Sequence, residues 1–207
     1  LPGEFVIVKQ DKQGERIPLT ICDYDREAGT VTIVIQVIGG STRLIADELK
    51  EGDEFMDFVG PLGNASDLIG EDIEELKKKK ILFVAGGLGS APVYPQVKWL
   101  FERGIKADVV QGAKSKDFVI LEDELKSVSD NLYVCTDDGS YGFKGLVTDK
   151  VKDLVENEGK KYDHCVVIGP MIMMKFVSLL TKELGIPTIA SMNTIMVDGP
   201  GMCGACR

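Results

Sequence analysis

Three glycines follow an apolar run near the middle of the chain, where Ile81 to Ala85 leads into Gly86-Gly87-Leu88-Gly89. Glycines at such a turn let backbone N–H groups approach a pyrophosphate, and a following helix adds the positive end of its dipole. Pro92 occupies the third glycine position of the full fingerprint, and Asp108 starts its strand instead of ending it. The segment therefore predicts a nucleotide-binding turn, with a ligand-free strand–helix turn as the alternative.

Two segments nearer the amino terminus also suit ligand binding. Arg16-Ile17-Pro18-Leu19-Thr20 combines a guanidinium, whose fork matches phosphate oxygens, with a hydroxyl that can hydrogen-bond a ring nitrogen. Gly39-Gly40-Ser41-Thr42 places small residues at a predicted helix start, where free N–H groups suit an anion. The structural alternatives are an edge strand with a surface arginine and an ordinary helix cap.

The chain closes on Asp198-Gly199-Pro200-Gly201-Met202-Cys203-Gly204-Ala205-Cys206-Arg207. Plant-type 2Fe–2S loops run C-x₄-C-x₂-C, and Asp198, Cys203 and Cys206 reproduce that spacing when a carboxylate replaces the first thiolate. The segment predicts the start of an iron–sulfur loop with these three ligands. A thioredoxin-like redox pair and half of a zinc site are the alternatives.

Two kinds of structure must position these segments. The first part of the chain is rich in Val, Ile, Phe and Thr between turn signals, which predicts a small antiparallel β domain. We expect its strands at 4–9, 17–22, 30–38 and 54–59, and one helix at 41–50.

From residue 81 the pattern changes to apolar strands that alternate with helices, which predicts a parallel sheet covered by helices on its faces. The strands are expected at 81–85, 108–111, 132–136, 164–168 and 186–192, and the helices at 91–103, 121–127, 145–157 and 170–184. We predict domains at 1–66 and 81–192, a linker at 67–80, and the start of the cluster loop at 193–207.

Composition excludes several classes of function. The net charge of −9 argues against nucleic acid as a partner, because phosphate binding needs a basic face. No apolar run approaches the ~18 residues that span a membrane. Five cysteines without the spacing of a disulfide framework predict a reducing, cytoplasmic compartment, with Cys22, Cys135 and Cys165 buried in the core.

The order of motifs along the whole chain resembles the ferredoxin–NADP⁺ reductase superfamily: R-x-P-L-T, G-G-S-T, G-P-L-G, G-G-x-G-x-A-P, T-D-D-G-S-Y-G, G-P-M-I-M-M and the closing cysteine loop. Within it, the chain is similar to a branch that holds three kinds of subunit. These are the electron-transfer subunit of dihydroorotate dehydrogenase, the small subunit of NADH-dependent ferredoxin:NADP⁺ oxidoreductase (sulfide dehydrogenase β subunit) and the γ subunit of soluble hydrogenases. Asp198 in place of the first cysteine is similar to the pattern of the ferredoxin:NADP⁺ oxidoreductase small subunit, whose cluster has one Asp and three Cys ligands.

The resemblance implies an antiparallel β-barrel FAD domain, without its first strand, followed by a doubly wound NAD(P)-binding α/β domain. Arg16 would bind the FAD pyrophosphate, and Thr20 would be the catalytic contact near flavin N5. The 2Fe–2S cluster would take its fourth ligand from beyond residue 207. The remaining implied contacts are Pro18 and Leu19 on the isoalloxazine; Gly40, Ser41 and Thr42 on FAD phosphates; Gly86, Gly87, Gly89 and Pro92 at the NAD(P) pyrophosphate; and Asp137, Asp138, Gly139, Gly169, Pro170 and Met171 on the nicotinamide side.

The implied function is electron transfer. A hydride would pass between NAD(P)H and FAD, and single electrons between FAD and the cluster, on to a larger catalytic flavin or iron–sulfur subunit and indirectly to ferredoxin. The alternatives are the same module serving a dihydroorotate dehydrogenase or a hydrogenase, and a flavin-free nucleotide-binding regulatory domain. The choice between NADH and NADPH stays open, with Lys114 and Lys116 as weak candidates for a 2′-phosphate contact.

Overall fold

The computed structural model describes residues 1–192, 196–197, 199 and 201–205. The chain forms two compact units. One contains Leu1–Ile69 and the described residues of the last segment, and the other contains Gly70–Met192. No helix in the described part of the chain is long and apolar enough to cross a membrane.

The first unit is a four-stranded antiparallel sheet whose strands lie side by side in the order 30–33, 17–25, 5–9 and 57–62. Val6 and Val8 pack with Ile21 and with Ile45 of the helix to form its core. Neighbouring residues of a strand point to opposite faces, so Ile7 lies on the other face of the sheet. The elements are β1 (Phe5–Lys9), β2 (Ile17–Asp25), β3 (Thr30–Ile33), α1 (Gly40–Glu48) and β4 (Asp57–Leu62), followed by a 3₁₀ turn at Asp67–Gly70.

Two strand boundaries in this unit differ from the sequence prediction. The strand expected at 30–38 ends at Ile33, because β3 is an edge strand and the chain must leave the sheet to enter α1 at Gly40. The strand expected at 54–59 begins at Asp57 and continues to Leu62.

The second unit is a six-stranded parallel sheet with helices packed against it. Its strands are β5 (Ile81–Gly86), β6 (Ala107–Ala113), β7 (Asn131–Thr136), β8 (Phe143–Lys144), β9 (His164–Ile168) and β10 (Thr188–Ala190). Its helices are α2 (Ile73–Leu76), α3 (Ser90–Phe101), α4 (Glu122–Val128), α5 (Val147–Lys152) and α6 (Met171–Glu183). Short 3₁₀ turns occur at Gly87–Gly89 and Lys116–Phe118, and a π-type turn at Asp153–Asn157.

The strand order β10-β9-β5-β6-β7-β8 contains one reversal of direction. The chain builds outward from β5 through β6, β7 and β8, and then returns to place β9 and β10 on the other side of β5. In open α/β sheets, ligands bind at the carboxyl ends of the strands where such a reversal occurs. The ends of β5 and β9 therefore mark the expected ligand crevice. The predicted fold class, an antiparallel β domain followed by a doubly wound α/β domain, is confirmed.

Three local features of the second unit differ from the elements and linker expected above. The short helix α2 lies inside the stretch expected to be a linker, where the Asp72 carboxylate accepts hydrogen bonds from the backbone N–H groups of Glu74 and Glu75. The helix expected at 145–157 is a six-residue α-helix that widens into the π-type turn. The two-residue strand β8 is too short to show alternation in the sequence.

The amino-terminal edge of this sheet is held by a buried ionic network around Asp108. The Asp108 carboxylate accepts hydrogen bonds from Lys160 Nζ at 2.7 Å, Tyr162 Oη at 2.7 Å and Asn131 Nδ2 at 2.8 Å. Burial raises the pKa of Asp108, but the hydrogen bonds from Lys160, Asn131 and Tyr162 outweigh it and hold that pKa below its ordinary value. Asp108 therefore stabilises the edge opposite the ligand crevice.

Candidate functional site

The three glycines between β5 and α3 have different structural roles. A Cβ on Gly89 would lie 2.2 Å from the carbonyl oxygen of Ile168, and one on Gly86 would lie 2.4 Å from Met173 Sδ. Gly89 is therefore required by close packing against backbone atoms at the end of β9, whereas a side chain at Gly86 would have to displace the Met173 side chain and press against Pro170 at the start of α6. Gly87 differs, because it has a φ of +52° and no atom lies within 4 Å of the position its Cβ would take. Open space at Gly87 is where a ligand has room to approach the backbone.

The segment after β9 completes this part of the site. A Cβ on Gly169 would lie 3.0 Å from both the Cα and N atoms of Gly86, so the two turns meet backbone to backbone. Pro170 caps α6 by accepting the N–H of Met174 at 3.0 Å, and Met171 is 62% exposed. Pro92 lies half-buried in the first turn of α3. The structure thus brings together the sequence-predicted residues of 86–92 and 169–171.

The residues predicted after β7 lie further along the sheet edge. Asp137 to Gly139 follow β7, which is separated from β5 by β6. The Asp138 carboxylate accepts hydrogen bonds from Ser140 Oγ at 2.7 Å and Ser140 N at 2.9 Å, and these bonds hold the pKa of Asp138 below its ordinary value. The Asp138 carboxylate thus stabilises the turn in which it lies. A nicotinamide contact for this segment stays a prediction.

Side chains tie this turn to the segment that follows β6. Ser140 Oγ accepts the N–H of Lys116 at 2.9 Å, and Tyr141 Oη donates to Glu122 Oε1 at 2.8 Å. The Lys116 ammonium lies 5.3 Å from the centroid of the Tyr141 ring, within cation–π range. Lys114 and Lys116, the candidates for a 2′-phosphate contact, are both exposed at this edge.

One buried pair near the glycine turn was not predicted from the sequence. Ser90, the first residue of α3, is fully buried, and its hydroxyl accepts a hydrogen bond from Gln111 Nε2 at 2.9 Å. An amide within the apolar run that forms β6 was the signal that could have revealed it.

Burial shifts the pKa of three groups in the second unit that could otherwise transfer a proton. His164 begins β9, burial lowers its pKa, and its Nε2 has no hydrogen-bond partner among the described residues. Burial raises the pKa of the Cys135 and Cys165 thiols to about 12. Cys135 and Cys165, together with buried Cys22, are core residues, as the sequence indicated.

In the first unit, β2 separates its predicted flavin contacts onto two faces. Leu19 pairs with Val6 and packs against the core, so its side chain points away from the face that Pro18 and Thr20 share. Pro18 pairs with Ile7, so those two side chains lie on the same face of the sheet.

Arg16 and the start of α1 are brought near each other by Glu15. Arg16 is 59% exposed, and its Nη2 lies 2.9 Å from Asp57 Oδ2. Ser41 Oγ donates to Glu15 Oε2 at 2.6 Å, and Thr42 Oγ1 accepts the N–H of Gly39 at 3.1 Å.

A cavity of about 310 Å³ lies beside the start of α1, lined by Gly14, Glu15, Gly40 and Ser41 among others. A Cβ at Gly40 would meet no atom within 4 Å. The cavity has room for a phosphate, provided that the Glu15 carboxylate turns away from it.

One described residue of the closing segment, Gly199, contacts the first unit's sheet. A Cβ on Gly199, which has a φ of +82°, would lie 2.1 Å from Ile7 Cδ1, so Gly199 packs on the face shared by Ile7, Pro18 and Thr20. Cys203 is exposed. The other two predicted ligands, Asp198 and Cys206, lie outside the described residues, and no group of three metal-ligating side chains occurs among those the structure describes.

Comparison with known proteins places the chain among oxidoreductases. Residues 83–179 match the family model of the oxidoreductase NAD-binding domain. The chain is 64% identical over 206 residues to an uncharacterized protein in the adh 3′ region of Clostridium beijerinckii, covering 100% of this chain and 69% of that protein. It is 47% identical over 206 residues to a dihydroorotate dehydrogenase B (NAD⁺) electron transfer subunit homolog of Thermotoga maritima, with coverage of 100% and 69%.

Three further matches involve one relative and two solved structures. The dihydroorotate dehydrogenase B (NAD⁺) electron transfer subunit of Fusobacterium nucleatum is 36% identical over 208 residues, with 99% of this chain and 76% of that protein covered. A chain in the structure of NADH-dependent reduced ferredoxin-NADP oxidoreductase superposes with a TM-score of 0.84 at 44% identity, covering 100% of this chain and 71% of that one. The flavohemoglobin of Malassezia yamatoensis, at 17% identity and a TM-score of 0.69, shares the fold alone.

These matches confirm the resemblance found in the sequence. Identity above 30% extends over the whole chain, and the matched relatives are covered over more than two thirds of their length. The protein is a member of the ferredoxin–NADP⁺ reductase-like family of oxidoreductase electron-transfer subunits, the family that includes those of dihydroorotate dehydrogenase B.

Proposed function

We propose that this protein moves a hydride between a nicotinamide dinucleotide and FAD and passes single electrons through a 2Fe–2S cluster to a larger partner subunit. The observation that carries the proposal is the glycine turn at the reversal point of the sheet, where Gly87 leaves the backbone open while Gly86 and Gly89 pack against the end of β9. A backbone-lined turn followed by the amino end of α3 suits the pyrophosphate of a dinucleotide.

The chain's own residues bind and orient, while the cofactors supply the chemistry. When bound, FAD provides a ring that takes up a hydride and releases electrons one at a time. Backbone N–H groups near Gly87 would hold the dinucleotide pyrophosphate, and Gly169, Pro170 and Met171 would border the nicotinamide. Asp137, Asp138 and Gly139 would reach the dinucleotide from the end of β7.

On the first unit, Thr20 and Pro18 would face the flavin, with the Thr20 hydroxyl near N5. Leu19 would contribute through its backbone, because its side chain packs in the core. Arg16 would bind the FAD pyrophosphate, and Gly40, Ser41 and Thr42 would hold phosphate oxygens at the start of α1.

The cluster would be held by Asp198, Cys203 and Cys206, with a fourth ligand from beyond residue 207. The contact of Gly199 with Ile7 supports this proposal, because Gly199 follows Asp198 in the chain and packs on the face that carries Pro18 and Thr20. A ligand set on that face would lie beside the proposed flavin site.

We expect the purified protein to take up FAD and show flavin absorption bands that anaerobic NADH or NADPH bleaches. Titration with each dinucleotide would also settle which one it uses, and iron analysis would test the cluster. A colourless chain that refuses added FAD but still binds nucleotide would contradict the proposal and favour the flavin-free regulatory alternative.

Replacing Arg16 by leucine is expected to weaken FAD binding by about tenfold or more, since hydrogen bonds to charged groups contribute about 1.5–3 kcal/mol. The ion pair with Asp57 is too exposed to matter much to folding, because such pairs contribute at most about 1 kcal/mol. FAD affinity measured by flavin fluorescence quenching checks this. Arg26→Leu, in the exposed turn after β2, is the matched control, and equal FAD affinity in both variants would remove Arg16 from the flavin site.

The partner would be a larger catalytic subunit, and ferredoxin would exchange electrons indirectly. Two relatives named as electron transfer subunits of dihydroorotate dehydrogenase B, or as a homolog of one, favour that enzyme as an alternative setting. The structural match to the NADH-dependent ferredoxin-NADP oxidoreductase favours a partner subunit of that type of enzyme. Identification of the subunit that co-purifies with the native protein decides between them.

A further inference from the structure

Gln111 is a buried amide near the carboxyl end of β6. Only 1% of its surface is exposed, and it lies between Ala85 of β5 and Val134 of β7 in the centre of the sheet. An amide buried in this way is costly unless its hydrogen bonds are made. Packing alone therefore does not account for a glutamine at this position of a core strand.

Both hydrogen bonds of the Gln111 amide nitrogen join it to segments at the ligand edge. Nε2 donates to Ser90 Oγ at 2.9 Å and to the carbonyl oxygen of Ile120 at 2.6 Å. The carbonyl of Ile120 can only accept, so this contact fixes which end of the amide faces it. Gln111 Oε1 is buried without a hydrogen-bond partner among the described residues.

The two segments that Gln111 joins flank the proposed nucleotide site. Ser90 comes directly after the Gly87–Gly89 turn, and Ile120 ends the segment that follows β6. Leu121, next to Ile120, has a φ of 56°, the single positive φ found for a non-glycine residue in the described part of the chain. Such a conformation persists only where the surroundings enforce it, and it is common at ligand sites.

We propose that Gln111 is a positioning residue for the dinucleotide, which sets the separation between the pyrophosphate turn and the segment after β6. In doubly wound sheets the end of this second strand faces the adenosine ribose, so a ligand carrying adenosine and pyrophosphate would contact both segments together. The inference rests on the nucleotide site proposed above and assigns it a residue outside the glycine turn.

Calorimetric titration with ADP-ribose tests this without any redox reaction. We expect Gln111→Leu in the full chain to weaken ADP-ribose binding about tenfold, because small displacements of binding groups are costly. Ser90→Ala, which removes one of the two bonds, should weaken it less, and the double variant should bind as Gln111→Leu does. Thr181→Val is the matched control: it removes a buried hydroxyl that accepts from Thr188 at 2.6 Å, at the far end of α6.

The results separate the possible roles of Gln111. Weaker binding in Gln111→Leu and unchanged binding in Thr181→Val, at similar melting temperatures, supports positioning. The positioning role is overturned if Gln111→Leu binds ADP-ribose within twofold of the wild-type affinity. If Gln111→Leu does not fold, the same result for Ser90→Ala overturns it. A wild-type chain that binds no ADP-ribose contradicts the proposed nucleotide site itself.

Discussion

Replacing Gly89 by alanine is expected to destabilise the Gly70–Met192 unit by about 3 kcal/mol, at the upper end of what overpacking costs. The new Cβ would lie 2.2 Å from the carbonyl oxygen and 2.7 Å from the carbonyl carbon of Ile168. These are backbone atoms of β9, which cannot rotate away as a side chain can. Gly89 has a φ of −58°, which alanine adopts readily, so the penalty would be steric.

Urea unfolding followed by tryptophan fluorescence measures this effect, because the chain's one tryptophan, Trp99, is buried in α3. Gly87→Ala is the control in the same turn. It meets no atom and carries only the penalty of a left-handed conformation, about 1 kcal/mol. If the two variants unfold at the same urea concentration, close packing between the β5 turn and β9 is not what requires Gly89.

Replacing Asp108 by alanine is expected to lower the free energy of unfolding by about 2 kcal/mol, because it removes the buried acceptor of three hydrogen bonds and leaves the partly buried Lys160 ammonium without its carboxylate. Lys160 would lose its carboxylate partner and Tyr162 its acceptor. Asp130→Ala is the control, since it removes a carboxylate whose Lys106 partner is 71% exposed and should change stability by less than about 1 kcal/mol.

The Asp108 network also predicts a dependence on pH. The folded protein holds the pKa of Asp108 below 3.8, the value expected for an unperturbed side chain. The folded state therefore binds this proton less readily than the unfolded state does. The stabilisation is complete above about pH 5 and is lost as the pH falls through the folded pKa. Denaturation curves at several acidic pH values should converge for wild type and Asp108→Ala, and a constant difference between them would contradict this assignment.

Regular elements of the second unit could be predicted because their apolar runs are long and separated by clear turns. The strand expected at 81–85 is Ile81–Gly86, and the helix expected at 91–103 is Ser90–Phe101. The strand expected at 186–192 shortens to Thr188–Ala190, since edge strands are paired on one side only. Strand β8 could not be predicted, because two residues show no periodicity.

The structural roles of the proposed site residues could not be predicted from residue type and spacing alone. Glycine at 86 and 89 suggested room for a ligand, whereas the atoms that exclude a side chain there belong to residues 168 to 173 of the same unit. Leu19 was expected at the flavin, but the register of β1 and β2 turns it toward the core. Such facts depend on contacts between segments far apart in sequence, which motif spacing does not contain.

The direction of the parallel strands separates two kinds of residue within one domain. Asp108 and its partners secure the amino-terminal edge, and the proposed nucleotide turn lies at the carboxyl-terminal edge. Thermostability can therefore be engineered around Asp108 while affinity for the proposed dinucleotide is altered near Gly87, and improvements of the two kinds should combine in one variant without interfering.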